Sequence, residues 1–177
     1  IVRTKKKLSF ELDNKKKIKT SGCAQGTIFD NIIEEIEDIK INSEFSVSSE
    51  DIFKLYKNIN LTPSLYLKSG AIHGCVLCTR IEEIAFFEDV GRHNAIDKLA
   101  GYMFLNKIIP DNKILYTTGR LTSEMVIKTI LMKIPVLASR SGYTAWGVEL
   151  ARSSNITMLG RLRGKNFRIL SGESRLK

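Results

Sequence analysis

The sequence predicts an α/β fold, a three-layer α/β/α sandwich built on a mostly parallel sheet. The pattern that predicts the layers is local. Short apolar runs at Ile114–Thr117, Val136–Ser139 and Ile156–Gly160 alternate with amphipathic stretches at Thr122–Lys133 and Thr144–Ser153. Strands separated by helices need crossovers, and crossovers make the strands parallel and cover both sheet faces. A chain of 177 residues that is 43% hydrophobic has enough apolar surface for one compact domain spanning the whole of it.

Taken in order, residues 1–12 read as a strand, and the lysines at 5–7 and 15–17 flank a turn at Asp13 and Asn14, where they solvate a hairpin. Residues 20–27 (Thr-Ser-Gly-Cys-Ala-Gln-Gly-Thr) have no period, and Gly22 and Gly26 predict a mobile loop around Cys23. A helix starts at Ser49, with Glu50 and Asp51 at its positive end, Ile52, Phe53, Tyr56 and Ile59 on one face, and its stop before Pro63. Residues 65–77 are apolar but broken at Ser69-Gly70 and His73-Gly74, which leaves their structure open. Ile84–Phe87 is a short strand. Ala95, Ile96, Leu99, Ala100, Met103 and Phe104 then form an amphipathic helix that Pro110 stops, and Phe167–Leu170 adds an edge strand. The chain starts at Ile1 without a methionine, so an upstream segment is expected.

Net charge is +9 and the isoelectric point about 9.5, which calls for a polyanionic partner. Aromatic residues are 8% and do not interleave with the basic runs, so a nucleic-acid surface with stacking platforms is not expected. No apolar run approaches the roughly 20 residues that cross a bilayer, and three cysteines make no disulfide framework. Reduced thiols and a cytoplasmic protein, with no membrane partner, are the expectation.

Ligands of α/β sheets bind beyond the carboxyl ends of the strands, where turns lead into helix N-termini. Three turns fall there: residues 88–94 with Arg92 and His93, 118–124 with Arg120 and Ser123, and 139–144 with Arg140 and Ser141. Each combines an arginine, a glycine and a helix-capping side chain, the last being Asn94, Thr122 and Thr144. Free N–H groups, positive dipole ends and guanidinium forks suit phosphate oxygens. A single such turn reads as a cap with a local ion pair, Asp89 and Glu124 being the available acids. Three at one sheet edge read as a crevice for a phosphorylated ligand. The basic run Arg161–Arg168 leaves the same edge, and reads equally as a cover for the crevice or as a solvated hairpin.

The run Glu88-Asp89-Val90-Gly91-Arg92-His93-Asn94-Ala95-Ile96-Asp97-Lys98 resembles the signature of the FdhD family, the sulfur carriers that serve formate dehydrogenase. Residues 119–126, 138–141 and 159–164 resemble further blocks in the same order. The resemblance implies the cytidine-deaminase-like form of the sandwich and a sulfurtransferase with a cysteine persulfide intermediate. Sulfur would come from a cysteine desulfurase and go to the molybdenum bis(molybdopterin guanine dinucleotide) cofactor of a formate dehydrogenase apoprotein. A homodimer is implied by the family alone. The family's cofactor-binding block falls on Arg161, Leu162, Arg163, Gly164, Lys165 and Asn166, and its histidine before the core strand on His73.

The family's sulfur-carrying loop has the form Cys-x-x-Cys; its first cysteine matches Cys23, and Gly26 replaces the second. On its own Cys23 reads as an incidental loop cysteine. As a carrier it needs to attack as thiolate, which Lys15, Lys16, Lys17 and Lys19 favour. Cys75-Val76-Leu77-Cys78 with His73 invites a metal or redox reading, but its spacer is apolar, and a structural role is expected, with no protein-ligated metal. A zinc deaminase would need His-x-Glu and Pro-Cys-x-x-Cys, which His73-Gly74-Cys75 does not supply. His93 sits where Asp89 and Asp97 can orient it, to hold ligand, relay a proton or fold the turn. The alternative to a carrier is a non-catalytic binding protein for a guanine dinucleotide cofactor.

Overall fold

The structure is a computed structural model that describes residues 17–19, 27–29, 36, 38–62 and 64–177. The strand expected over 1–12, the lysine-flanked turn and Cys23 with its neighbours lie outside the described residues. The chain divides into two compact units, residues 1–35 and 36–177. In the first, β1 (Lys17–Lys19) pairs antiparallel with β2 (Thr27–Phe29), Lys19 opposite Thr27.

The second unit holds α1 (Ser49–Leu61), α2 (Leu65–Ser69), β3 (His73–Cys78), β4 (Glu83–Asp89), α3 (Arg92–Leu105), β5 (Ile114–Thr117), α4 (Ser123–Leu131), β6 (Val136–Ser139), α5 (Ala145–Ser153), β7 (Thr157–Arg163) and β8 (Asn166–Ser171). Its six strands form one sheet in the order β4-β3-β5-β6-β7-β8. β5, β6 and β7 are parallel to one another, as the intervening helices require. The other three pairings, β3 with β4, β3 with β5, and β7 with β8, are antiparallel, so the sheet is mixed rather than mostly parallel. Loop length accounts for β3 with β4 and for β7 with β8. The short links 79–82 and 164–165 leave no room for a crossover helix, and hairpins result.

Alternation along the strands separates two cores. Val76, Cys78, Ile114, Tyr116, Val136, Ala138 and Leu159 cluster with Ile52, Leu55 and Ile59 of α1 on one face. α3 packs on β3 and β4 over the other face, alongside α4, which packs against α5. Two helical layers therefore sandwich the sheet. α1 is fixed at its start by a capping box, the Ser48 hydroxyl accepting from Asp51 N–H and the Asp51 carboxylate from Ser48 N–H. The helix thus starts at Ser49, as expected, with its cap on the residue before.

Register places the site. β3 runs opposite to β5, so its start lies beside the carboxyl end of β5, Cys75 opposite Thr117, while His73 stands opposite Asp89 at the end of β4. Thr117 pairs with Ser139 and Ala138 with Leu159. The ends of β4, β5, β6 and β7 and the beginning of β3 thus share one sheet edge. Four inter-strand steps span it, roughly 19 Å.

Candidate functional site

Backbone approach at this edge is close because glycines permit it. Gly74 N–H donates to the Thr118 hydroxyl at 2.9 Å, and Thr118 N–H returns to Gly74 carbonyl at 3.0 Å. A Cβ on Gly74 would stand 2.7 Å from Phe86 Cε2, and one on Gly119 2.9 Å from Arg92 Cβ. The turns after β5 and β6 are stitched together. The Ser139 hydroxyl donates to Gly119 carbonyl at 2.6 Å, the Ser141 hydroxyl to Thr118 carbonyl at 2.7 Å, and Leu121 N–H to Gly142 carbonyl at 2.9 Å. Arg161 N–H joins them through Ser141 carbonyl at 3.0 Å. The edge is one connected surface.

On this frame the polar atoms without protein partners concentrate. Arg92 is 8% exposed, its stem against Gly119, yet its Nε and Nη2 have no acceptor among the described residues; His73 Nδ1 and Thr122 Oγ1 are likewise buried without a partner among them. Buried donors are normally satisfied, and a buried guanidinium especially so. Burial, then the nearby Arg92 and Arg120 guanidinium groups, push the His73 pKa down, so the ring is neutral at pH 7. A donor set of this kind fits an anionic ligand.

The remaining signature side chains hold the turn. Asp89 accepts from Gly91 N–H at 2.9 Å and Asn94 Nδ2 at 3.0 Å, and pairs with Lys98 at 2.7 Å; Lys98 also donates to Glu88 carbonyl. These contacts, the Lys98 one first, hold the Asp89 carboxyl down to about 2. Of the three expected caps, Thr144 alone works as one, accepting from Gly147 N–H; Asn94 is taken by Asp89, and the Thr122 hydroxyl caps nothing. His93 is oriented by Glu124 across the α3–α4 interface, Nε2 to carboxylate 2.9 Å, not by Asp89 or Asp97. Asp97 binds Lys128 instead. Burial, followed by Arg92, lowers the His93 pKa against the pull of Glu124.

Farther along the edge, Arg140, Ser141, Gly142, Arg161 and Arg163 line a hollow of about 430 Å³. Arg161 takes a left-handed backbone, φ 54°, at the irregularity between Gly160 and Arg163, a conformation that non-glycine residues adopt at a cost and that turns the β7 end over the hollow. The block 161–166 is split. Leu162 points into the core under α1 and offers no side chain to a ligand, while Gly164 and Lys165 line a second, apolar hollow of about 630 Å³ with Phe53 and Tyr56. Asn166 is exposed at the start of β8. Ser123, at the first turn of α4, is buried.

Cys75 and Cys78 are both fully buried, and burial pushes the Cys75 thiol up to about 12 and the Cys78 thiol higher than its ordinary value. Cys78 lies in the α1-side core; Cys75 donates to Thr117 Oγ1 from the opposite face. Three residues along a strand separate them by about 10 Å. Neither a disulfide nor a shared metal fits that placement. Two residues of the site have roles that the sequence did not show, Tyr66 not being singled out there and Glu88 appearing only as the first residue of the signature run. Tyr66 of α2 lies beneath the Arg140 guanidinium, 5.2 Å from the ring centroid, and Glu88 accepts the N–H groups of Leu65 and Tyr66 at 2.9 and 2.7 Å. The Ser64 cap was the available signal for α2.

The family model for the FdhD/NarQ family matches residues 1–177. The chain belongs to the FdhD/NarQ family. Among its FdhD relatives, the sulfur carrier protein FdhD of Geobacillus kaustophilus is 34% identical over 131 residues, covering 74% of this chain and 50% of the relative. That of Saccharolobus solfataricus is 36% identical over 138 residues, 77% of this chain and 54% of the relative. The crystal structure of a Desulfotalea psychrophila protein assigned as a formate dehydrogenase accessory protein superposes with a TM-score of 0.73 at 29% identity, over 81% of this chain and 61% of that one. The chain spans about half the length of the curated FdhD relatives it matches. No helix among the described residues is long and apolar enough to cross a membrane.

Proposed function

We propose that this chain is a sulfur carrier of the FdhD kind. It takes sulfur from a cysteine desulfurase onto Cys23 and delivers it to the molybdenum bis(molybdopterin guanine dinucleotide) of formate dehydrogenase, held at the carboxyl edge of the sheet. The relatives' name supports sulfur carriage. The observation that supports acceptor binding is the buried Arg92 with two unmatched donors, in a rim that also carries Arg120, Arg140, Arg161 and Arg163. Phosphate oxygens would complete those donors, and three helix N-termini at the same edge add favourable dipoles. The pterin cofactor enters as substrate, not as a resident group.

In the loading step the Cys23 thiolate attacks the outer sulfur of the desulfurase persulfide. The donor's S–S bond breaks, the desulfurase cysteine leaves as thiolate, and Cys23 holds the new persulfide. On delivery the outer sulfur leaves and Cys23 returns to thiolate; reduction of that sulfur to sulfide takes two electrons from the acceptor or a thiol reductant. No second cysteine stands at position 26 to form a loop disulfide. His73, neutral at pH 7, and Arg92 fix the acceptor, while Glu124 fixes His93.

Intact-protein mass spectrometry after incubation with a cysteine desulfurase and cysteine tests the loading step. One thiol-reversible sulfur on the native chain, absent from Cys23→Ala, is the expected result. Equal sulfur on both proteins, or none on either, would leave a non-catalytic cofactor-binding protein as the better description.

A further inference from the structure

α2 has only five residues and no buried side chain, so packing does not hold it in place. Its position is set by polar contacts at its start. Ser64 Oγ accepts from Leu67 N–H at 3.2 Å, and both Glu88 carboxylate oxygens accept backbone N–H groups, from Leu65 at 2.9 Å and Tyr66 at 2.7 Å. Glu88 lies at the end of β4, four residues before Arg92, and thus ties α2 to the turn that bears the buried guanidinium. A charged acceptor taking two backbone donors is a strong tether.

The tether has a geometric consequence. Tyr66 is half-buried, with one face against the half-buried Arg140 guanidinium. Tyr66 also lines, with Asn60, Phe86, Tyr116 and Thr118, a gap of about 10 Å³ that has room for one water and none for a base, so a base can stack on Tyr66 only in place of Arg140. Arg140 itself lines the hollow of about 430 Å³ with Ser141, Arg161 and Arg163. An aromatic face and an arginine-lined hollow therefore share one guanidinium. That is the arrangement needed to take a planar base and its phosphates together, since Tyr66 exchanges one flat π-partner, Arg140, for another, and Arg140 is released to the phosphates.

We propose that Tyr66 is the stacking face for the nucleobase of the bound nucleotide and that Glu88 is the positioning residue that holds it there. This rests on the sheet edge being the acceptor-binding site, as proposed above. Tyr66 touches ligand; Glu88 acts through Tyr66.

The test is calorimetric titration of the full chain with GDP and, separately, with inorganic diphosphate, for the native protein, Tyr66→Leu, Tyr66→Phe and Glu88→Gln. GDP should bind the native chain at least tenfold more tightly than diphosphate. Tyr66→Leu should lower GDP affinity about tenfold, the scale of one base–aromatic stack, and leave diphosphate affinity unchanged. Tyr66→Phe should retain GDP affinity, and Glu88→Gln should weaken GDP severalfold with diphosphate unaffected. If GDP and diphosphate both bind but Tyr66→Leu changes neither, the stacking role is wrong and the anion site stands. If neither ligand binds the native chain, the sheet-edge site itself is wrong and the stacking role falls with it.

Discussion

At the scale of single residues, the edge of the sheet carries charge that the fold does not use. Arg92 is buried with Nε and Nη2 unmatched, a state that costs stability and persists where a ligand supplies the missing acceptors. Replacing it with methionine, which keeps the stem against Gly119, should therefore leave the melting temperature unchanged or raise it while lowering GDP affinity at least tenfold. Thermal denaturation and calorimetry on the same preparation check both halves; a large fall in melting temperature would make Arg92 structural. Asp89 behaves oppositely. Its folded pKa of about 2 lies below the ordinary carboxylate value of 3.8, so its stabilising contribution is complete above pH 4 and lost as pH falls from about 4 to 2. The protection factor of the Gly91 amide, its exchange rate relative to the intrinsic rate at each pH, should fall over that window and hold steady above it. The signature showed in the sequence that these residues belong together. It did not show that His93 answers to Glu124, because that contact joins two helices 31 residues apart and depends on how α3 and α4 pack.

At the scale of elements, local pattern was a good guide wherever the chain repeats a simple unit. The strands at Ile114–Thr117 and Val136–Ser139 fall where their apolar runs stand, and the helices after them begin within a residue of expectation. Direction was less legible. β3 and β4 lie antiparallel because four residues join them, and residues 65–77, whose structure the sequence left open, split into α2 and β3 at Gly70, which takes a left-handed cap with φ 67°. α2 has no buried face, so no apolar period announces it, and it exists through Ser64 and Glu88. The β8 end depends on Gly172, at φ 67°, where a Cβ would stand 2.6 Å from Thr157 Cα. Gly172→Ala combines left-handed strain with a backbone clash and should cost about 2 kcal/mol or more of unfolding free energy, measurable by urea denaturation. A loss below about 0.5 kcal/mol would mean that the C-terminal strand can shift without penalty.

At the scale of the whole molecule, the fold brings four sequence-distant turns to one edge, with Arg92, Arg120, Arg140 and Arg161 in the order β4, β5, β6, β7. The net charge of +9 adds a long-range attraction for an anionic acceptor, which weakens as salt is raised. Loading is proposed on Cys23 and acceptor binding on the sheet edge, so damage to the edge should spare loading. The most direct test is a transfer measurement. The native chain and Arg92→Met are loaded with ³⁵S by a cysteine desulfurase, freed of donor, and mixed with formate dehydrogenase carrying unsulfurated cofactor, and the label on the cofactor is counted. Both proteins should load equally, and the native chain alone should pass label to the cofactor, with transfer from Arg92→Met reduced at least tenfold. Equal transfer from both would contradict the assignment of acceptor binding to the sheet edge.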